Sequence, residues 1–294
     1  MSRYAENPLQ FCTLYESSLV RVRNFHCRAC RSGPATEEYS SSNDLVLMRG
    51  GAFSKHVGRR SVTVDVNQAV FFSKESTYRV SHPTDGGDRG TVLTPSPRVL
   101  NDIIRELDPS VDDHPERPFP FLVGPCDTAA FSMHTALVRR LEVASLQPLD
   151  PLWVDVAALQ LVAKVLEATF ARQGLPRKRR RTGTDAAHAE LAEAVKVLLA
   201  SRLSERITLD HVACAVSASP FHLSRVFQQY TGVPIHRYLN RLRLRTAFER
   251  LEGGAKDLTV LALEFGFSSH SHFTDAFRRE FGHCPSLVRN RVRP

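Results

Sequence analysis

His26-Cys27-Arg28-Ala29-Cys30 sets two thiols three positions apart beside an imidazole, the spacing of half a zinc site or of a redox pair. A structural zinc needs a second ligand pair. Cys12, Cys126, His56 and His82 are the candidates, and none of them stands in another C-x-x-C. The pair therefore reads first as ordinary structural residues, with metal binding and thiol sensing as the alternatives. His82 ends the strand-like run Tyr78-Arg79-Val80-Ser81 and precedes a Pro-Thr-Asp-Gly-Gly turn. His270-Ser271-His272 also has ligand spacing, but it opens a helix, where capping or a surface role takes precedence. A nucleophile elbow, a P-loop and a dinucleotide glycine fingerprint are all missing from the sequence. No catalytic residue, metal ligand or cofactor is expected.

A second pattern is far more specific. Residues 207–284 contain ITLDHVACAVSASPFHLSRVFQQYTG and DLTVLALEFGFSSHSHFTDAFRREFG, which superpose with Leu223 on Phe273, Phe227 on Phe277, Tyr230 on Glu280 and Gly232 on Gly282. Each reads as a short helix, a tight turn and a second helix with a polar outer face, the layout that places a recognition helix in a major groove. In the first unit Thr208 or Leu209 opens a helix ending near Val216. Ser219 caps the next helix, Pro220 occupies its first position, and Gly232 can take the left-handed position that ends it. Leu223, Val226, Phe227 and Tyr230 then point inward, leaving Phe221, Ser224, Arg225 and Gln228 outward. In the second unit Asp257 is the cap, Gly266 the turn, and Ser268 or Ser269 the restart. Phe273, Phe277 and Phe281 are core there, with Ser271, Asp275, Arg278 and Arg279 exposed. Between the units, the helix PIHRYLNRLRLRTAFERLE turns Ile235, Leu239, Leu242, Ala247 and Leu251 inward and Arg237, Arg241, Arg243 and Arg245 elsewhere. Arginines of this region are expected to supply phosphate contacts.

Charge agrees with this placement. Residues 177–294 hold 20 Lys+Arg against 11 Asp+Glu, about +9, whereas residues 1–176 hold 19 against 20, about −1. A basic domain beside a neutral one is the electrostatic footprint of a nucleic-acid binder. A length of 294 residues suggests two domains, each with its own core. The opening MSRYAENPLQ has no basic-then-apolar leader, no apolar run reaches membrane-span length, and the six cysteines are scattered. The expectation is a soluble, cytoplasmic protein with reduced thiols and no membrane partner.

Residues 1–110 read as short β-branched and aromatic strands separated by Gly, Asn, Asp and Pro, pointing to a small sandwich or barrel. From Asp127 the period becomes helical. Two long helices follow, the second with Leu152, Val156, Leu159, Ala163, Leu166 and Phe170 alternating four and three apart like a coiled-coil seam. Segment 111–173 is accordingly read as a dimerisation or relay segment. Segment 174–185, with Arg177 to Arg181 consecutively basic, is read as a linker that brushes phosphates rather than as a nuclear address. Segment 186–294 is the DNA-binding domain, opened by the amphipathic helix AAHAELAEAVKVLLASRL that supports the first unit. The fold class is α+β multidomain: an N-terminal β-sandwich with two long helices, then an all-α domain with two helix-turn-helix units.

The C-terminal residues resemble the AraC/XylS family of bacterial transcription regulators. The resemblance rests on Ser219-Pro-Phe-His-Leu-Ser-Arg-Val-Phe, Thr231-Gly232, Arg241-Leu-Arg, Ala262 with Phe265-Gly266-Phe267-Ser268, and His272-Phe273 through Phe277-Arg278-Arg279, Phe281-Gly282 and Pro285. It covers roughly a third of the chain. The N-terminal part is similar, much more weakly, to the cupin-like effector domains that many members carry. A cupin enzyme would bring an H-x-H pair on a strand, and the β-region has none, so cupin metal catalysis is not expected. The resemblance implies that the first recognition helix presents Phe221, Ser224 and Arg225 to bases and the second Ser271, Thr274 and Asp275. Asp275 departs from the family pattern, which is usually basic there. It reads either cytosine N4 or, by slight preference, pairs with Arg278 or Arg279. Double-stranded promoter DNA, a small-molecule effector, RNA polymerase and a second copy of the chain are the partners implied. An enzyme with a DNA-targeting tail is the competing reading.

Overall fold

The computed structural model describes residues 9–29, 32–143, 149–173 and 182–290. Two compact units divide at residues 176 and 177. The expected linker core, 174–181 with its basic run, lies outside the described residues.

The first unit holds two antiparallel sheets. The larger runs in the order β1 (Leu9–Glu16), β2 (Val20–Cys27), β9 (Asp88–Pro95), β4 (Asp44–Gly50), β7 (Gln68–Phe72), β10 (Val123–Pro125). The smaller runs β3 (Glu38–Tyr39), β8 (Thr77–Ser81), β5 (Phe53–Val57), β6 (Arg60–Val64). In β4, Leu45 and Leu47 bury one face while Val46 and Met48 bury the other. A strand covered on both sides shows a continuous apolar run instead of alternation, which is why LVLM looks unperiodic in the sequence. The expectation of a β-sandwich holds. Its boundary at residue 110 is crossed, because β10 pairs Val123 with Val70 at the sheet edge. Three residues of strand carry too little pattern to be seen among helical neighbours.

Among the described residues this unit has three α-helices: α1 (Pro97–Arg105), α2 (Thr128–Glu142) and α3 (Pro151–Gln173). Asp127 caps α2 by accepting from the Ala130 amide at 2.8 Å. Helix α3 packs on α2, β2, β9 and β10, burying Val154, Ala158, Leu161, Val162, Val165 and Leu166. Its start is tied to β1, where Tyr15 and Ser17 both donate to the Asp155 carboxylate, at 3.0 and 2.7 Å. Phe170 meets Phe121 edge-on, with centroids 5.1 Å apart. The expected seam is therefore split. Leu166 and Phe170 serve the unit's own core, while Leu152 (70% exposed) and Val156 (45% exposed) stay outside with half-buried Leu159 and Ala163. The helix turns its richest face to the sheet because seven apolar residues there find a partner within the same chain.

Among the described residues the second unit has helices and no strand: α4 (Thr182–Ser201), α5 (Leu209–Ala215), α6 (Pro220–Thr231), α7 (Ile235–Glu252), α8 (Leu258–Glu264), α9 (His270–Phe281) and α10 (Pro285–Asn290). Helix α4 packs on α6. Tyr230 donates to Glu193 at 3.0 Å, and Glu193 also pairs with the buried Lys196. Tyr230 is thus a half-buried polar anchor, not part of an apolar stripe. Among the described residues no helix is long and apolar enough to cross a membrane.

Candidate nucleic-acid interface

Four caps build the paired helices. Thr208 accepts from the His211 amide at 3.2 Å to start α5, and Ser219 from His222 at 3.4 Å to start α6. Asp257 accepts from Thr259 and Val260 at 2.8 and 3.0 Å to start α8, and Ser269 from His272 at 3.1 Å to start α9. Helices α6 and α9 have 12 residues each and end on left-handed glycines, Gly232 and Gly282 at φ 81° and 77°. Each terminal amide bonds back, to Gln228 and Arg278 respectively, at 2.8 Å.

The tight turns match as well, through different residues. Gly266 is left-handed at φ 71°, and its counterpart is Ser217 at φ 53°. In both, the amide of the following residue bonds five positions back, Phe267 to Ala262 and Ala218 to Ala213, at 2.9 Å. Glycine reaches this conformation freely, whereas serine pays for its Cβ. Ser217 carries no signal in the sequence, because the register that sets Leu223 on Phe273 puts it against Phe267; the second unit has one more residue between turn and recognition helix.

The outward residues fall where the helical period puts them. On α6, Phe221 is 81% exposed, Arg225 and Gln228 are exposed, and Ser224 is half-buried beside buried Leu223, Val226 and Phe227. On α9, Ser271, Asp275, Arg278 and Arg279 are exposed and Thr274 is half-buried beside Phe273, Ala276 and Phe277. Helix α9 closes on an aromatic cluster in which Phe248 stacks on Phe277, centroids 5.9 Å apart, and touches Phe281 at 5.2 Å.

Two sequence expectations need correction here. Arg243 and Arg245, expected away from the core, are buried. The Arg243 guanidinium donates to the carbonyls of Leu203, at 2.8 Å, and Glu205, and also reaches Gly266. Arg245 and Arg241 both face Glu280 of α9, at 3.6 and 3.4 Å. A guanidinium satisfies several acceptors from one planar group, so an arginine can stand inside where helical periodicity asks for an apolar residue. The preferred Asp275 ion pair is likewise not made. Arg279 donates to the backbone carbonyl of Asp275 at 3.3 Å, and Arg278 to Cys284 Sγ at 2.9 Å. That leaves the Asp275 carboxylate exposed and without an ion pair among the described residues.

Sequence comparison points the same way. A family described as a helix-turn-helix domain matches residues 212–291. The transcriptional regulator ArgR of Pseudomonas aeruginosa is 34% identical over 134 residues, covering 46% of this chain and 40% of its own. The transcriptional activator RhaS of Pectobacterium atrosepticum is 26% identical over 263 residues, covering 87% of this chain and 88% of its own. By its DNA-binding domain the chain belongs to the AraC/XylS family. An AraC-type DNA-binding domain protein from Chromobacterium violaceum has a solved structure that is 32% identical, covers 36% of this chain and 95% of its own, and superposes with a TM-score of 0.33. The alignment thus spans well under two thirds of some of these relatives, ArgR among them.

For an AraC/XylS domain, the distribution of charge is informative. Residues 182–290 hold 13 Lys+Arg against 11 Asp+Glu. The excess therefore sits mainly at its two ends, in Arg177–Arg181 and in Arg291 and Arg293, outside the described residues. Arg241, Arg243, Arg245 and Arg250 are spent on acceptors within the domain. Arg225, Arg278 and Arg279 are the cations that the recognition helices themselves turn to solvent.

Proposed function

We propose that this protein is a sequence-specific transcription regulator in which α6 and α9 enter successive major-groove segments of promoter DNA. The observation that carries the reading is the duplication itself: two capped 12-residue helices, each closed by a left-handed glycine, present exposed side chains at equivalent positions. Phe221, Ser224, Arg225 and Gln228 read one segment, and Ser271, Thr274, Asp275, Arg278 and Arg279 the other, about one helical turn or ~34 Å away. Arginine runs at the ends of the domain add phosphate contacts and salt dependence.

The β-unit is the effector-binding part. An open cavity of about 280 Å³, lined by Phe11, Phe25, His26, Arg49 and Arg89 among others, pairs aromatic rings with two guanidinium groups. That lining suits a small organic acid. The exposed stripe of Leu152 and Val156 supports a homodimer, and RNA polymerase is the partner of a regulator held at a promoter. Relatives named as transcription regulators favour this reading over an enzyme carrying a DNA-targeting tail.

A genome-wide map of sites bound by the full chain tests the proposal. Recovered duplexes of about 15–20 base pairs should compete with random DNA in fluorescence anisotropy at physiological salt. Arg225→Ala should cost about 1–3 kcal/mol on the duplex carrying the intact half-site and far less once that half is scrambled, since a bidentate arginine–guanine pair is worth that much. Equal affinity for recovered and random duplexes would refute the reading.

A further inference from the structure

Three separated residues meet at one end of the β-unit. Cys27 ends β2 and Asp88 begins β9, and the two are direct partners in the antiparallel register. His82 follows β8 and is held by a backbone bridge to Ser32. Its Nε2 stands 3.4 Å from Cys27 Sγ and 3.1 Å from Asp88 Oδ2, and the three ligand atoms lie within 4.8 Å of one another. Ligand atoms around a tetrahedral zinc, with bonds of ~2.0–2.3 Å, stand about 3.3–3.6 Å apart.

The surrounding backbone is shaped to bring them together. Gly87 is left-handed at φ 72°, and a Cβ there would stand 2.1 Å from the Cys27 carbonyl oxygen. No other residue allows the Pro83–Gly87 turn to lie so close to the end of β2.

One buried oxygen of the cluster lacks a hydrogen bond. Asp88 is 4% exposed, and its Oδ2, although near the imidazole, lies outside hydrogen-bond geometry and has no partner. A buried carboxylate without a partner is costly, and a divalent ion held by one thiolate, one carboxylate and a neutral imidazole makes the group neutral.

We propose that Cys27, His82 and Asp88 form a binding site for a divalent transition metal of the zinc type. A sulfur and a nitrogen ligand select against magnesium and calcium. Three protein ligands leave a fourth position for water or another donor. The donor set differs from the H-x-H and glutamate arrangement of cupin enzymes. Bound metal would fasten β2, β9 and the 83–87 turn together. Cys30, the second thiol of the C-x-x-C, lies outside the described residues.

The test uses the full chain, kept reduced, stripped with a chelator and titrated with cobalt(II). One equivalent should develop near-ultraviolet thiolate-to-cobalt absorption with the visible bands of a tetrahedral ion. Zinc should displace it and millimolar magnesium should not. Cys27→Ser should abolish the thiolate band, and His82→Gln or Asp88→Asn should weaken binding at least ten-fold. Should those variants misfold, the wild type still decides. Zinc should slow alkylation of Cys27 by iodoacetamide more than ten-fold, read by peptide mass spectrometry, and leave exposed Cys12 unchanged. Absence of a thiolate band in the wild type, its persistence in folded Cys27→Ser, or alkylation of Cys27 indifferent to zinc would overturn the proposal.

Discussion

Replacing Arg243 with methionine separates two roles that the sequence leaves equivalent, phosphate contact and internal brace. The guanidinium is buried and donates to the Leu203 and Glu205 carbonyls just before α5, and it also reaches Gly266 in the turn between α8 and α9. It therefore joins the entry to the first helix-turn-helix unit to the turn of the second. Hydrogen bonds from a charged donor contribute about 1.5–3 kcal/mol each, so losing the bonds to Leu203 and Glu205 should cost roughly 3–6 kcal/mol. Methionine refills part of the volume but leaves those carbonyls without a donor. Arg243→Lys should recover only part of the loss, since one ammonium cannot span acceptors set for a planar fork. Urea denaturation of the full chain, followed by a probe in the helical unit, should show the midpoint falling with little change in slope. DNA affinity of the folded fraction should keep its salt dependence. The reasoning fails if the midpoint stays put while the slope of log K against log salt drops by about 0.9, the signature of one lost phosphate contact.

Other substitutions test other parts of the molecule. Asp275→Ala should leave stability within about 0.5 kcal/mol, because the exposed carboxylate makes no ion pair among the described residues. DNA binding should tighten roughly two- to five-fold as a negative charge leaves the phosphate-facing surface; weakening confined to sites with one particular cytosine would instead make Asp275 a base reader. Val156→Glu should shift a micromolar sedimentation profile from dimer to monomer without unfolding, and a wild type that is already monomeric would dismiss the exposed stripe as an interface. Lys55 supplies a pH test. It is buried, donates to the Phe71 carbonyl at 2.6 Å, and its pKa is lowered to about 8 from 10.5 by burial. The unfolded chain then binds more protons between those values. Stability of the β-unit should rise with pH across that window, by at most about 1.4 kcal/mol per unit from this group. Thermal melts of Lys55→Met should lack that increment; an unchanged pH profile would refute it.

Much of the DNA-binding unit was legible because its signals are local. Ser219-Pro220, Asp257, Ser269 and Gly232 act on backbone groups within a few residues, and each cap and helix end falls where those residues put it. The outward placement of Phe221, Arg225, Ser271 and Asp275 follows from the helical period once Leu223, Phe227, Phe273 and Phe277 are inside. The β-unit was legible as a class of fold only, since β4 is covered on both faces and β10 is too short to show a period. Tertiary structure alone decided which arginines face solvent. Arg241 and Arg225 look alike in the chain, yet one lies against Glu280, 39 positions further along, and the other meets no carboxylate among the described residues. It alone brought Cys27, His82 and Asp88 together, because that cluster depends on the β2–β9 register and on a glycine turn pressed against a strand end. Caps and periods act over one or two turns of chain, whereas ion pairing and ligand clustering depend on which distant segments share a space, and that is set by the packing of the whole unit.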